Sequence, residues 1–203
     1  MKVPFLDKEY PVRILKAIAP CMGPKIAWDV ETNIIVDGVV ATYVIGAAFN
    51  GKEVCLVPAH TLASFWKEHA ESTILGHSVN FDLQVCEKAI GVSLFGLLDK
   101  KQVIDASLLY RLSELARVGE VPRGGYGLKD LTEKLLGVEL SKDAEIRCEF
   151  GQFIRENGTV DYQAIPHEFL QYAALDAVAT WFVCEKLSAM VETRDWEGGY
   201  DAT

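Results

Sequence analysis

The chain has 203 residues, 50% hydrophobic and 24% charged, which suits one domain with a substantial buried core. It has no low-complexity tract, no repeat period and no apolar run long enough to span a bilayer; charges interrupt its N-terminal apolar residues, which excludes a secretory signal and predicts a cytoplasmic protein without membrane contact. The net charge of −9 argues by itself against a nucleic-acid partner, unless the acids gather around bound cations that offset them.

Residues 1–24 show little regular pattern and are punctuated by Pro4, Pro11, Pro20 and Gly23-Pro24; they read as a leader segment packed on the main domain. KIAWDVE (25–31) reads as a buried strand ending on acids. ATYVIGAAF (41–49) and KEVCLVP (52–58) are β-rich and flank Asn50-Gly51, a strong hairpin signal, so the second and third strands are antiparallel. Leu62, Phe65, Trp66, His69 and Ala70 then recur at helical spacing, followed by a short strand at 72–78. A helix over 81–90 stops at Gly91, and QVIDA (102–106) leads into another through Leu108, Leu109 and Leu112. After Gly124-Gly125, residues 126–137 form a helix with Gly137 as its C-cap. The stretch 138–165 is irregular, Asn157-Gly158 marks a turn, and Pro166 opens a long helix to about Met190. Strands first, then strands alternating with helices, predict an α/β domain over 25–192 with a frayed tail at 193–203.

Five cysteines (Cys21, Cys55, Cys86, Cys148, Cys184) are widely spaced with no C-x-x-C pair, which predicts reduced thiols and no structural zinc. Basic residues cluster centrally at Arg111, Arg117, Arg123, Lys129, Lys134, Lys142, Arg147 and Arg155, either as a solvated helical surface or as a backbone-binding stripe.

The chemistry concentrates in four acids. Asp29 and Glu31 are two apart on a strand, so both side chains share one face; they repel each other unless a cation lies between them. Asp82 falls in the first turn of a helix that Asn80 can cap, a place the helix dipole favours for an acid, and His77 and Asn80 stand beside it as candidate substrate contacts. Tyr172 and Asp176 are four apart on the closing helix and share a face otherwise made of Ala173, Ala177 and Thr180. Singly, each pattern has a bland reading: a strand end entering solvent, a favoured first-turn acid, a surface pair. Together they form an ordered set.

AWDVET, GHSVNFDL and YAALDA resemble the three exonuclease motifs of the DEDD superfamily, over about residues 25–190. Position 171, where the histidine branch carries its catalytic residue, is Gln, and Tyr172 matches the tyrosine branch, which includes ribonuclease D, Werner-type exonucleases and the proofreading domains of family A DNA polymerases. YGLKDLTEKLLGVEL (126–140) resembles the stretch before the third motif. The Ser-Asp-Trp element of ribonuclease D-like proteins is absent, and KDAEIRCEFGQF (142–153) takes its place.

The resemblance implies a ribonuclease H-like three-layer fold: a mixed, mostly parallel five-stranded sheet, its second strand antiparallel, with helices on both faces. It implies a 3′–5′ exonuclease in which Asp29, Glu31, Asp82 and Asp176 hold two divalent cations, Mg²⁺ or Mn²⁺, and Tyr172 orients the attacking water. Thr32, Asn33 and Lys129, with His77 and Asn80, are candidate substrate contacts, as is Arg123. The expected partner is nucleic acid, a single-stranded or frayed DNA 3′ end first and RNA second, with any polymerase or helicase on a separate chain. A catalytically silent binding module is the remaining alternative; four converging acids argue against it, because without metal they only repel.

Overall fold

The computed structural model describes residues 1–17, 21–33, 41–140 and 144–193. Its strands are β1 (Lys2–Phe5), β2 (Lys8–Ile14), β3 (Lys25–Thr32), β4 (Tyr43–Phe49), β5 (Val54–Pro58), β6 (Thr73–Gly76) and β7 (Val103–Asp105). Its helices are α1 (Ala59–Glu68), α2 (Val79–Ile90), α3 (Gly96–Asp99), α4 (Ala106–Val118), α5 (Leu128–Leu136), α6 (Ala144–Glu149) and α7 (His167–Thr193), with a 3₁₀ turn at Phe150–Phe153. The predicted tail lies outside the described residues beyond Thr193. Among the described residues no helix is long and apolar enough to cross a membrane.

The strands form one sheet in the order β1-β2-β5-β4-β3-β6-β7. β3 to β7 are the five strands read from the sequence, and β4 runs antiparallel to both its neighbours while β6 and β7 continue parallel to β3. The segment 1–24 corrects the sequence reading. It contributes the β1–β2 hairpin, which extends the sheet to seven strands because β2 pairs in parallel with β5. Its strand signal is an alternation in which Val3, Phe5, Tyr10 and Val12 are buried between exposed neighbours, and the prolines masked it. Pro4 is tolerated on the edge strand β1, and Pro11 precedes the β2 residues, Val12 to Ile14, that pair with β5.

Two cores flank the sheet. Under α7, α4 and α5 lie Ala27, Ala47, Phe49, Leu131, Phe150, Ala173 and Val178; under α1 and α2 lie Ile26, Trp28, Phe65, Leu83 and Cys86. The two-residue period of β3 thus sends Ile26, Trp28 and Val30 to one side. Ala27, and by the same alternation Asp29 and Glu31, go to the side covered by α7.

Close approach fixes two glycines. A Cβ on Gly46 would lie 2.6 Å from Cζ2 of fully buried Trp28, and one on Gly76 would lie 2.6 Å from Val79 Cβ. The first lets the Trp28 indole lie flat across β4, one residue before Asp29. The second lets the chain turn from β6 into α2 at once, through Ser78 in the left-handed region at φ 60°.

Candidate active site

The acids meet where β3 outruns its neighbour. β6 pairs with β3 only from Lys25 to Ala27, so the β3 edge beyond that point needs another partner. Asp82, in the first turn of α2, supplies it by accepting the Val30 backbone N–H. α2 is itself held from outside: Asp105 at the end of β7 accepts Val79 N–H through Oδ2 at 2.8 Å, and Leu108 N–H through Oδ1 at 3.1 Å. One carboxylate therefore caps two helices and fixes α2 against the sheet. Asn80 does not play this part, because α2 starts at Val79 and Asn80 is an exposed residue of its first turn.

From the other side, α7 crosses the sheet and brings Tyr172 and Asp176 down on the β3 end. Carboxylate oxygens of Asp29, Glu31 and Asp176 all lie within 4.8 Å of one another. Glu31, Asp82, Tyr172 and Asp176 are buried, and Asp29 is half-buried. These five line a cleft of about 330 Å³ with Val30, His77, Ser78, Phe81, Gly127 and Leu128. Acids this close and this buried repel one another and lose hydration. Burial, then the Asp29 charge, pushes the Asp82 carboxyl well above the usual range, with Asp105 adding to the rise and the Val30 hydrogen bond opposing it.

The donor set is all oxygen, acidic and clustered, and it fits hard divalent cations such as Mg²⁺ or Mn²⁺. A cation removes the repulsion that the apolar surroundings intensify. The same physics gives a stability test. Because the folded protein favours neutral Asp82, metal-free protein loses stability as pH rises from the unfolded carboxyl pKa of about 3.9 through the raised folded value. Asp82→Asn removes that loss. In EDTA at pH 8 the variant will melt at least about 3 °C above wild type, and the gap will close at pH 4. Melting curves at the two pH values with and without Mg²⁺ measure it; an Asp82→Asn protein less stable than wild type in EDTA at pH 8 would sink this account.

The remaining sequence candidates divide. His77 lines the cleft, and its Nε2 donates to the Tyr126 carbonyl at 2.9 Å, tying the α4–α5 connection to the site. Thr32, Asn33, Asn80 and Lys129 do not line it. Thr32 donates to the Asn33 carbonyl at 2.9 Å, and Asn33 Oδ1 accepts Thr42 N–H at 2.7 Å, so both are occupied in shaping the irregular end of β3. Lys129 Nζ lies 3.8 Å from Glu139.

The central basic stretch is largely committed to internal partners. Arg117 pairs with Glu114 and Arg155 with Asp161, Lys134 donates to the Tyr110 hydroxyl at 2.7 Å, and Arg111 stacks 5.1 Å above the Tyr126 ring. Arg123 is exposed, whereas Lys142 and the Arg147 side chain lie outside the described residues. Sequence reasoning missed Ser78, Phe81, Gly127, Leu128 and Asp105. Of these only Asp105 carried a local signal, as an Asp directly before the α4 leucines.

A family model described as 3′-5′ exonuclease matches residues 7–192. The chain belongs to the 3′–5′ exonuclease family. A comparison with curated proteins gave no match. Among solved structures, the exonuclease resembles Brucella melitensis NrnC with bound Mg²⁺ (TM-score 0.63, 19% identity, 91% of this chain and 82% of that one). It also resembles Trypanosoma brucei RNase D in complex with RNA U12 (0.64, 18%, 88% and 62%). A third is Escherichia coli RNase D, an exoribonuclease involved in structured RNA processing (0.61, 18%, 85% and 41%). At these identities the likeness is one of fold, and the exonuclease covers less than half of the E. coli protein. The superfamily fold and the 3′–5′ exonuclease activity agree with the motif resemblance, and the activity is metal-dependent phosphodiester hydrolysis.

Proposed function

We propose that this exonuclease removes nucleotides one at a time from single-stranded or frayed DNA 3′ ends, releasing 5′-monophosphates, with Asp29, Glu31, Asp82 and Asp176 holding two divalent cations. The observation that carries this reading is the meeting of three carboxylates within 4.8 Å in a cleft that also contains Tyr172 and buried Asp82. Bound there, Mg²⁺ or Mn²⁺ supplies an activated water and offsets charge on the phosphate.

The chain's own groups do the rest. Asp29 and Glu31, on a strand paired with β4 on one edge and tied through Val30 N–H to Asp82 on the other, and Asp176, on a 27-residue helix, form a cradle preorganised for the phosphate. The Tyr172 hydroxyl, one helical turn from Asp176, orients the attacking water; a phenol with an ordinary pKa of about 10 is poorly suited to take its proton at neutral pH. Phe81 and Leu128 offer apolar walls to the terminal sugar and base.

Deoxyribose is supported by those apolar walls, which offer the terminal sugar no polar group. RNA is the second reading, supported by the similarity to RNase D structures, one of them bound to RNA. The five free thiols support a reducing cytoplasmic setting, and in this reading a separate polymerase or helicase chain presents the 3′ end. The test compares single-stranded DNA, recessed duplex and RNA of one sequence, each with Mg²⁺ and with Mn²⁺. The DNA reading expects kcat/KM at least about tenfold higher on single-stranded DNA than on RNA, a difference of about 1.4 kcal/mol. The reverse order establishes the RNA reading, and no cleavage of any substrate leaves only the silent module.

A further inference from the structure

The helix α2 has no side-chain cap of its own. Its N-cap position is Ser78, in the left-handed region at φ 60°, and the Ser78 side chain makes no capping bond. The first N–H of the helix, at Val79, goes instead to Asp105 Oδ2, 26 residues further along the chain at the end of β7. Sheet register makes this reach possible. Asp105 lies across from Gly76, whose missing Cβ leaves space for Val79 to close directly over the end of β6.

The bond to Leu108 alone would make Asp105 an ordinary N-cap of α4, a task for which one oxygen is enough. Its second oxygen is turned toward α2. The same first turn of α2 carries Asp82, three residues after Val79, and Asp82 accepts Val30 N–H on β3. In the sheet order β3-β6-β7 the turn therefore straddles β6, fastened to β7 at one end and to β3 at the other. With strands about 4.8 Å apart, the two anchors stand on strands about 10 Å apart. Buried Val79 and Leu83 also hold α2 on the sheet, but apolar contacts are non-directional and do not fix where a carboxylate points. A turn anchored at two points has a set angle, and one anchored only at Val30 can pivot. Functional groups at such a site have to be held to within about 0.5 Å.

We propose that Asp105 is a positioning residue for the metal cradle: by anchoring the first turn of α2 it aims the Asp82 carboxylate, and so sets the affinity of the site for divalent cations. This rests on the reading that Asp82 holds metal. Asp105 itself stays outside the cleft, with both oxygens accepting backbone N–H groups. Removing an outer partner that orients a metal ligand typically changes affinity or activity by about 10- to 100-fold.

Asp105→Ser separates the two bonds. A serine at an N-cap still accepts Leu108 N–H, but its single short hydroxyl cannot serve Val79 as well. Glu87→Ala is the control: Glu87 is near the far end of the same helix, and its carboxylate likewise accepts two backbone N–H groups, from Leu94 and Phe95, away from the cleft. Mn²⁺ binding to the full chain without nucleic acid is measured by electron paramagnetic resonance. Asp105→Ser is expected to raise the Mn²⁺ Kd at least about tenfold, and Glu87→Ala to leave it within about twofold. In hydrolysis, the Mn²⁺ concentration for half-maximal rate should rise with the Kd in Asp105→Ser, while kcat at saturating Mn²⁺ returns to within about threefold of wild type. Asp105→Asn, which keeps the shape but only one acceptor oxygen, is read for the same rise if the serine variant fails to fold. An unchanged Kd in the Asp105 variant overturns the proposal, as does an equal rise in Glu87→Ala. Asp82→Asn tells the two levels apart: if it binds Mn²⁺ as wild type does, the metal reading of Asp82 has failed and the inference falls with it.

Discussion

Asp29→Ala or Asp176→Ala will lower metal-dependent hydrolysis of a 3′ end by at least about 10³-fold, roughly 4 kcal/mol of transition-state stabilisation. Neither change will unfold the protein. The reason lies in what the carboxylates do when no phosphate is present. Three of them converge within 4.8 Å while Asp82, buried behind them, is pushed toward its neutral form. Deleting one relieves repulsion in the metal-free chain, so its melting temperature in EDTA stays level or rises. With metal the same deletion removes a ligand that no neighbour replaces, because Thr32 and Asn33 are turned into backbone hydrogen bonds. A functional loss without a stability loss is the signature to measure, by melting curves and single-turnover rates on one preparation. An equal fall in both would mean that the acids are structural.

Tyr172→Phe will reduce kcat by about 10- to 100-fold and leave KM within about twofold. The ring is buried and packs 6.3 Å from the Phe150 ring, contacts that phenylalanine keeps. Only the hydroxyl is lost from the cleft wall. A group that orients the attacking water acts in the transition state and not in ground-state binding, so the loss falls on kcat. If kcat is unchanged, Tyr172 is a packing residue; if KM rises instead, it holds substrate.

Much of this site was legible because its chemistry is written in short-range periodicities. Asp29 and Glu31 announce a shared strand face, Tyr172 and Asp176 a shared helix face, and the three motifs give their order. What stayed hidden depends on distant pairings. Asp105 caps α2 across 26 residues, and His77 ties down a carbonyl 49 residues away. No local spacing encodes either bond. Asn80 misled because it is a good capping residue beside a helix start; the strained corner at Ser78 moved that start two residues earlier and gave the cap to Asp105. The β1–β2 hairpin was missed for another reason. Its prolines read as breakers, yet Pro4 lies on the edge strand, where a missing N–H can face away from the sheet, and Pro11 lies just before the β2–β5 pairing begins at Val12. Lys129 was drawn from a cluster of positive charge, and clustered charge in sequence says little about which partner each side chain has already found in the fold.

The central claim is that one acidic cradle performs stepwise hydrolysis from the 3′ end. A 5′-labelled single-stranded oligonucleotide, incubated with wild type and with Asp29→Asn/Asp176→Asn, tests it most directly. With Mg²⁺ or Mn²⁺ the wild type should yield a ladder shortening one nucleotide at a time from the 3′ end, absent in EDTA and absent with the double variant. The same ladder from the double variant, or cleavage that ignores EDTA, would contradict the account.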